Sequence, residues 1–289
     1  MTTDRLAIRK TYKLYVGGAF PRSESGRSYP VNAADGSFLA NVSRASRKDV
    51  RDAVVAARAA FPGWATRTAY NRGQVLYRIA EMLEGRAAQF VDAVVTCEGI
   101  DPTAAERAVA AAVDRWVWYA GWADKITQVA GSANPVAGPY FNFSVTEPTG
   151  VVAVMAPQDS SLLGFVSVVA PVIVSGNTVV VIASEQRPIP AINFAEVLAT
   201  SDLPGGVVNL LTGRPVELAP VLAAHMDVNA IDLTGVAADA RPPLEEAAAE
   251  NVKRVLPAPA SEPDWFDDPG TGRLLAPLEI KTVWHPVGM

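Results

Sequence analysis

The strongest hydrophobic pattern in the chain runs from Val151 to Val181, VVAVMAPQDSSLLGFVSVVAPVIVSGNTVVV. Val151–Met155 and Thr178–Val181 are β-branched runs, as expected of parallel strands buried on both faces. Between them Ser160–Val174 is apolar almost all round and long enough for one buried crossover helix. Ser175-Gly176-Asn177 supplies its stop. Strand, helix and strand make a βαβ unit, which favours a doubly wound sheet with ligands at the strand C-termini. The loop Ala156-Pro157-Gln158-Asp159 lies where such a fold places its chemistry.

The flanking patterns extend this reading in both directions. Lys13–Ala19 is a short strand entering a Gly-Gly turn, and Tyr29-Pro30-Val31-Asn32 begins an extended piece closed by Asp35-Gly36. Ser46 and Asp49 form a capping-box pattern for a helix with Val50, Val54, Ala57 and Phe61 on one face, ended by Pro62-Gly63. A second helix runs from Tyr70 through Val94 on a stripe of Val75, Ile79, Met82 and Leu83. A third covers Thr103–Ile126, where Trp116, Trp118, Tyr119 and Trp122 read as packing aromatics. Downstream of Val181 come a helix from Pro188 to Thr200, strand Val207–Leu211, helix Val216–Ala224, strand Ala230–Leu233, helix Pro242–Asn251 and strand Val252–Leu256.

Two stretches alternate strictly. Phe141, Phe143 and Val145 interleave with Asn142, Ser144 and Thr146, and Leu278, Ile280, Thr282 and Trp284 share one face of the last strand. A lone terminal strand needs a partner edge for its backbone. Between them Pro257–Ala276 holds four prolines and four acidic residues with little periodicity, and reads as a linker.

Composition narrows the function classes. At 289 residues and 49% hydrophobic content the chain can bury a sizeable core. A net charge of -5 without basic clustering argues against nucleic acid as a partner. The single cysteine, Cys97, excludes an intrachain disulfide and suits the cytosol, and Met1–Lys10 carries no signal-peptide pattern. The apolar run 162–174 is too short to span a bilayer, so the expectation is a cytoplasmic protein without a membrane anchor.

Catalytic chemistry is sparse. No His or Asp lies near Cys97 in sequence to activate a thiolate, so it reads as a small core hydrophobe. His225 and His285 have no Ser or Cys neighbour, nothing places a second group beside Asp159, and no spacing suggests a metal.

The segments LYVGGAF, DVRDAVVAARAAFPGW, EPTGVVAVMAP, SGNTVVVIASEQRP, LPGGVVNLLTG, HMDVNAIDLTG and LEIKTVW resemble, in order, the aldehyde dehydrogenase superfamily. The resemblance implies a Rossmann-like doubly wound sheet with N-terminal helices and a β-strand oligomerisation arm. It divides the chain into a dinucleotide-binding-like domain (1–138 and 151–256), an arm (139–150 and 277–286) and a linker (257–276) standing where the catalytic domain would be.

Against the family's pattern, the Pro-Trp-Asn loop is Pro157-Gln158-Asp159, whose carboxylate would repel a developing oxyanion. The ribose-holding Lys-Pro-Ala-Glu is Ile182-Ala183-Ser184-Glu185, which keeps only Glu185. The phosphate-facing Phe-Thr-Gly-Ser is Leu233-Thr234-Gly235-Val236, followed by Asp239, an unhelpful charge near a pyrophosphate. Leu256-Pro257-Ala258-Pro259 stands where the general-base Glu would be, and the nucleophilic Cys is missing with its surroundings.

The resemblance thus implies no catalytic residue, no metal and no resident cofactor, with Glu185, Thr234 and Gly235 as vestiges of NAD(P) binding. The expected role is a non-catalytic subunit that assembles with a full-length active aldehyde dehydrogenase as a hetero-oligomer through Phe141, Phe143, Val145, Leu278, Ile280, Thr282 and Trp284. The alternatives are a nucleotide-binding regulatory module or an NAD(P)-dependent aldehyde oxidoreductase with residual activity.

Overall fold

The computed structural model describes residues 10–256 and 258–288, so the segment read above for a signal peptide lies, but for Lys10, outside the described residues. The N-terminal strands β1 (Thr11–Tyr12), β2 (Ser28–Asn32) and β3 (Phe38–Ser43) form a small sheet in the order β1-β3-β2. Within the predicted strand Lys13–Ala19, Gly17 and Gly18 turn with positive φ, and Tyr15 bridges to Leu210 instead of extending β1.

Helix α1 (Arg47–Ala65) opens on a complete capping box, with Ser46 Oγ accepting from Asp49 N and Asp49 Oδ2 accepting from Ser46 N at 2.7 Å. It runs past Pro62, where the sequence signals a stop. Trp64 is buried in the core and donates Nε1–H to Ile173 O at 2.8 Å, and that anchorage carries the last turn through the proline. The single helix expected over 70–94 is two, α2 (Ala69–Glu84) and α3 (Ala87–Glu98), because Gly85 ends the first. Next come α4 (Pro102–Trp122) and the short α5 (Ile126–Ala130). Trp116 and Tyr119 are fully buried, and Trp116 stacks on Phe194 with centroids 5.6 Å apart.

After β4 (Ser132–Asn134) and β5 (Tyr140–Pro148) the βαβ unit appears as read: β6 (Val151–Met155), α6 (Leu163–Val174) and β7 (Thr178–Ile182). Its continuation is α7 (Ile189–Ala199), β8 (Val208–Leu211), α8 (Pro215–Ala224), β9 (Ala230–Asp232), a 3-10 turn at Ala238–Ala240, α9 (Pro242–Ala249) and β10 (Arg254–Leu256). The strands form one parallel sheet in the order β10-β9-β6-β7-β8, the doubly wound α/β fold expected from the sequence. Val152 and Val154 enter a core with α4, α6 and α7, whereas Val151, Ala153 and Met155 enter another with α1, α8 and α9. Every residue of β6, α6 and β7 is buried, so the fold is organised around that unit.

The chain ends with α10 (Gly272–Leu275) and β11 (Leu278–Pro286), which pairs antiparallel with β5 to give a second sheet in the order β11-β5-β4. This ribbon answers the need of the terminal strand for a partner. Its register sets Ile280 opposite Thr146, Thr282 opposite Ser144 and Trp284 opposite Asn142, while Val283 faces Phe143 and Lys281 faces Val145. Directly opposed residues share a face. The two apolar stripes read from the sequence therefore lie on opposite faces of the ribbon, a relationship that the alternation in either strand alone does not reveal.

The ribbon is tied to the core at one carbonyl. Pro277 O accepts from Asn177 Nδ2 (2.8 Å), Thr149 Oγ1 (2.8 Å) and Thr149 N (3.2 Å), while Asn177 Oδ1 accepts from Gly150 N at 2.7 Å.

Candidate functional site

The sheet reverses its winding at β6: from there the chain steps out through β7 and β8, then returns to place β9 on the other side of β6. In such sheets ligands bind outside the C-terminal ends of the strands at that switch point. Here that crevice is floored by the Ala156–Gln158 turn after β6 and the Asp232–Gly235 turn after β9. Gly235 N donates to Met155 O at 2.9 Å, and a Cβ on Gly235 would stand 1.9 Å from Ala156 O, so only glycine lets the two turns meet.

The polar groups of these turns are largely engaged with one another. Asp232 is 1% exposed, and its Oδ1 accepts from Thr234 N (2.9 Å) and Thr234 Oγ1 (2.5 Å). Gln158 donates Nε2–H to Ala156 O and accepts Glu185 N–H on Oε1 at 3.0 Å, holding the loops after β6 and β7 together. Asp159 turns outward to an ion pair with Arg187 at 3.2 Å.

Over the α6 side of the crevice lies the stretch that reads as a linker in sequence. It is closely fitted to the core. Trp265, 8% exposed, packs where a Cβ on Gly164 would come within 3.0 Å of its Nε1. That Nε1 donates to Glu262 Oε1 at 2.8 Å, and the same oxygen accepts from Ser160 N. Arg115, itself buried, donates to Trp265 O at 2.6 Å and Asp267 O at 3.1 Å. Arg273 donates to Asp232 Oδ2 at 2.9 Å and to Thr234 Oγ1 at 3.1 Å, with its guanidinium 5.3 Å from the centroid of Trp265. None of Asp232, Arg115, Trp265 and Arg273 stands out in sequence, because no spacing signal connects them.

On the other side of the crevice, between α8 and α9, a pocket of about 400 Å³ is open. Pro215, Val216, Ala219 and Pro220 line it from α8, Pro243 and Leu244 from α9, and Gln158, Glu185, Gly235 and Val236 from the turns beside them. Glu185 is paired with Arg214 at 3.5 Å at its rim.

The remaining chemical candidates stay apart. The Cys97 thiol is buried, and burial with the charge of Glu98 pushes its pKa up to about 12, so it is no nucleophile at neutral pH. Burial pulls the His225 imidazole below its usual range, and His285 is exposed on β11. Among the described residues no group of three or more His, Cys, Asp or Glu side chains could hold a metal ion, and no helix is long and apolar enough to cross a membrane. Of the ribbon residues singled out in sequence, Phe141, Ile280, Thr282 and Trp284 are exposed, Phe143 and Val145 are half-buried, and Leu278 is buried.

Residues 20–258 match the sequence profile of the aldehyde dehydrogenase family. The chain belongs to the aldehyde dehydrogenase family. It is 33% identical over 267 residues to cytosolic 10-formyltetrahydrofolate dehydrogenase of Pongo abelii, covering 88% of this chain and 29% of that protein. It is 34% identical over 259 residues to human retinal dehydrogenase 2, covering 88% of this chain and 49% of the relative. Among solved structures, HpcC of Thermus thermophilus superposes with a TM-score of 0.81 at 30% identity, over 86% of this chain and 48% of that one. The NAD+ complex of an aldehyde dehydrogenase from Bacillus cereus gives 0.78 at 26% identity, over 85% of this chain and 50% of that one. This aldehyde dehydrogenase homologue thus spans half or less of the length of each of these relatives.

A nicotinamide dinucleotide fits this chain only in part. The pocket between α8 and α9 and the Glu185 carboxylate suit a nucleoside. The N–H groups of Thr234 and Gly235, however, are spent on Asp232 and Met155. The α6 side of the crevice is filled by Trp265 and Arg273.

Proposed function

We propose that this chain is a non-catalytic aldehyde dehydrogenase homologue that assembles, through its ribbon, with a full-length active member of the family. The observation that supports the reading most is the ribbon: β11 leaves one edge unpaired, and Ile280 and Trp284 on one face and Phe141 on the other are 60%, 58% and 53% exposed. Exposed edges and apolar faces of this kind call for a cover, and strand addition by a second chain supplies it. The strand-end crevice adds a second line of support, because its hydroxyl–carboxylate pair, Thr234 with Asp232, is buried and held by Arg273, and the chain itself caps it. Residual dehydrogenase activity would need a thiol other than the buried Cys97, which is the only one present.

The test is purification of the tagged chain from its native host. A stoichiometric aldehyde dehydrogenase should accompany it, and Ile280→Lys with Trp284→Ser should release that partner. Recovery of a well-behaved monomer alone, or aldehyde turnover by the isolated chain with NAD or NADP, removes the proposal.

A second reading, a nucleotide-binding regulatory module, is favoured by one observation: the pocket of about 400 Å³ beside Glu185, at the small end of the roughly 300–1,000 Å³ range of ligand sites. Both roles fit one chain, since the pocket and the ribbon lie on different elements.

A further inference from the structure

A cavity of about 730 Å³ lies where the first turn of α1 meets the turn before β2 and the start of α8. Arg27, Arg44, Arg47, Lys48 and Arg51 line it, against two carboxylates, Glu24 and Glu217. In a chain whose net charge is -5, this local excess of positive charge runs against the whole. We infer that the cavity binds a compact polyanion carrying two or more linked phosphate groups. The inference rests on neither reading proposed above.

The cations are not consumed by the chain itself. Among the described residues Arg27, Arg47 and Arg51 have no acidic partner, and Lys48 has only an exposed pair with Asp52 at 3.4 Å. The carboxylates are engaged: Glu217 accepts from Arg44 Nε at 3.3 Å and from a second nitrogen of the same guanidinium, and Glu24 accepts from Ser46 Oγ at 2.8 Å. Arg47 and Arg51 stand four residues apart at the start of α1. There like charges repel one another and also oppose the positive end of the helix dipole. The acid nearest to hand, Asp49, is 6% exposed and spent on Ser46 N, Ser23 Oγ and Glu24 N. An anion held between the arginines relieves both repulsions.

The donors on offer are side chains, since Ser46 Oγ already accepts from Lys48 N and Asp49 N. Guanidinium forks match phosphate oxygens two at a time. The frame behind them is firm: Arg44 N donates to Arg27 O at 2.9 Å, and Asp49 ties the turn at Ser23 and Glu24 to α1. Glu24 and Glu217 weaken the field felt by a single anion, so occupancy calls for a ligand that engages several cations at once. The volume lies within the roughly 300–1,000 Å³ of ligand sites, which suits one small molecule.

Calorimetric titration of the full chain with tripolyphosphate, orthophosphate and hexaglutamate tests the inference. At physiological salt tripolyphosphate should bind with Kd near or below about 1 mM, orthophosphate at least about tenfold more weakly, and rising salt should weaken both. Arg47→Gln with Arg51→Gln should weaken tripolyphosphate at least about tenfold. The melting temperature should hold or rise, because both side chains are exposed and repel each other. Arg78→Gln with Lys125→Gln removes as much positive charge outside the cavity and should leave binding within about twofold. Orthophosphate binding as tightly as tripolyphosphate overturns the need for linked phosphates, and tighter binding of hexaglutamate overturns the ligand class. Equal losses in the two double variants, or none in the first, overturn the choice of cavity. Absence of tripolyphosphate binding overturns the inference outright.

Discussion

Arg273 and Asp232 meet at 2.9 Å across 41 residues of sequence, and the carboxylate is almost wholly enclosed. Asp232 belongs to the end of a sheet strand and Arg273 to the stretch with least periodicity. Their ion pair, reinforced by Thr234, is the main polar bond between the two. Arg273→Ala should destabilise the protein by about 3 kcal/mol in urea unfolding, because it strands a buried charge. The double variant Asp232→Ala with Arg273→Ala should recover a large part of that loss, and a double-mutant cycle measures the coupling.

Gly235→Ala should be among the most damaging single changes in the chain. The new Cβ would fall 1.9 Å from Ala156 O and force the turns after β6 and β9 apart. A loss of more than about 3 kcal/mol, or failure to fold, is expected. An unchanged denaturation midpoint would refute the close approach.

Asn177 is enclosed and serves Gly150 N, Ser175 Oγ and Pro277 O. Asn177→Ala should cost about 2 kcal/mol by leaving buried partners unmatched. Hydrogen exchange should show faster opening at the start of β11 than in β7, since Pro277 loses one of its three donors.

Cys97 gives a pH-dependent prediction. Its thiol, ordinarily at 9.0, is pushed up to about 12 in the folded chain. The unfolded chain therefore releases this proton first as pH rises. The stability carried by the neutral thiol is complete below pH 9 and drains away between 9 and about 12. Cys97→Ala should flatten that part of the stability profile. A thiol reagent near pH 8 should label the native protein at least about a hundredfold more slowly than the urea-unfolded chain.

Ile280→Lys with Trp284→Ser tests the ribbon without touching the core. Both side chains are more than half exposed, so urea stability should shift by less than about 0.5 kcal/mol. Self-association and partner capture, read by light scattering and co-purification, should fall sharply. A loss of stability comparable to a core substitution would place these residues inside the monomer instead.

The sequence exposes the β6–α6–β7 unit most clearly because buried parallel strands and a buried crossover helix leave unbroken apolar runs, which few other structures produce. Helix ends are harder to read. Pro62 signals a stop that the burial of Trp64 overrides, and Gly85 splits a pattern whose apolar stripe continues across the break. The crevice was legible only from its floor. Gln158 and Asp159 stand in the loop after β6 and Glu185 in the loop after β7, positions that follow from the fold, whereas Arg273 and Trp265 come from a proline-rich, acidic stretch that resembles a solvated tether. Their placement depends on Asp232, Gly164 and Arg115, and no local rule reports contacts at such separations. The ribbon shows the same limit, since alternation gives each strand two faces and only the pairing register tells which faces coincide.

That register makes the ribbon two-sided. With Ile280 and Trp284 looking one way and Phe141 and Phe143 the other, neither side serves as a dry back against which the other is displayed. A single neighbour laid over one surface leaves the other wet. Full shelter demands a slot, or a pair of neighbours closing like the slices around a filling.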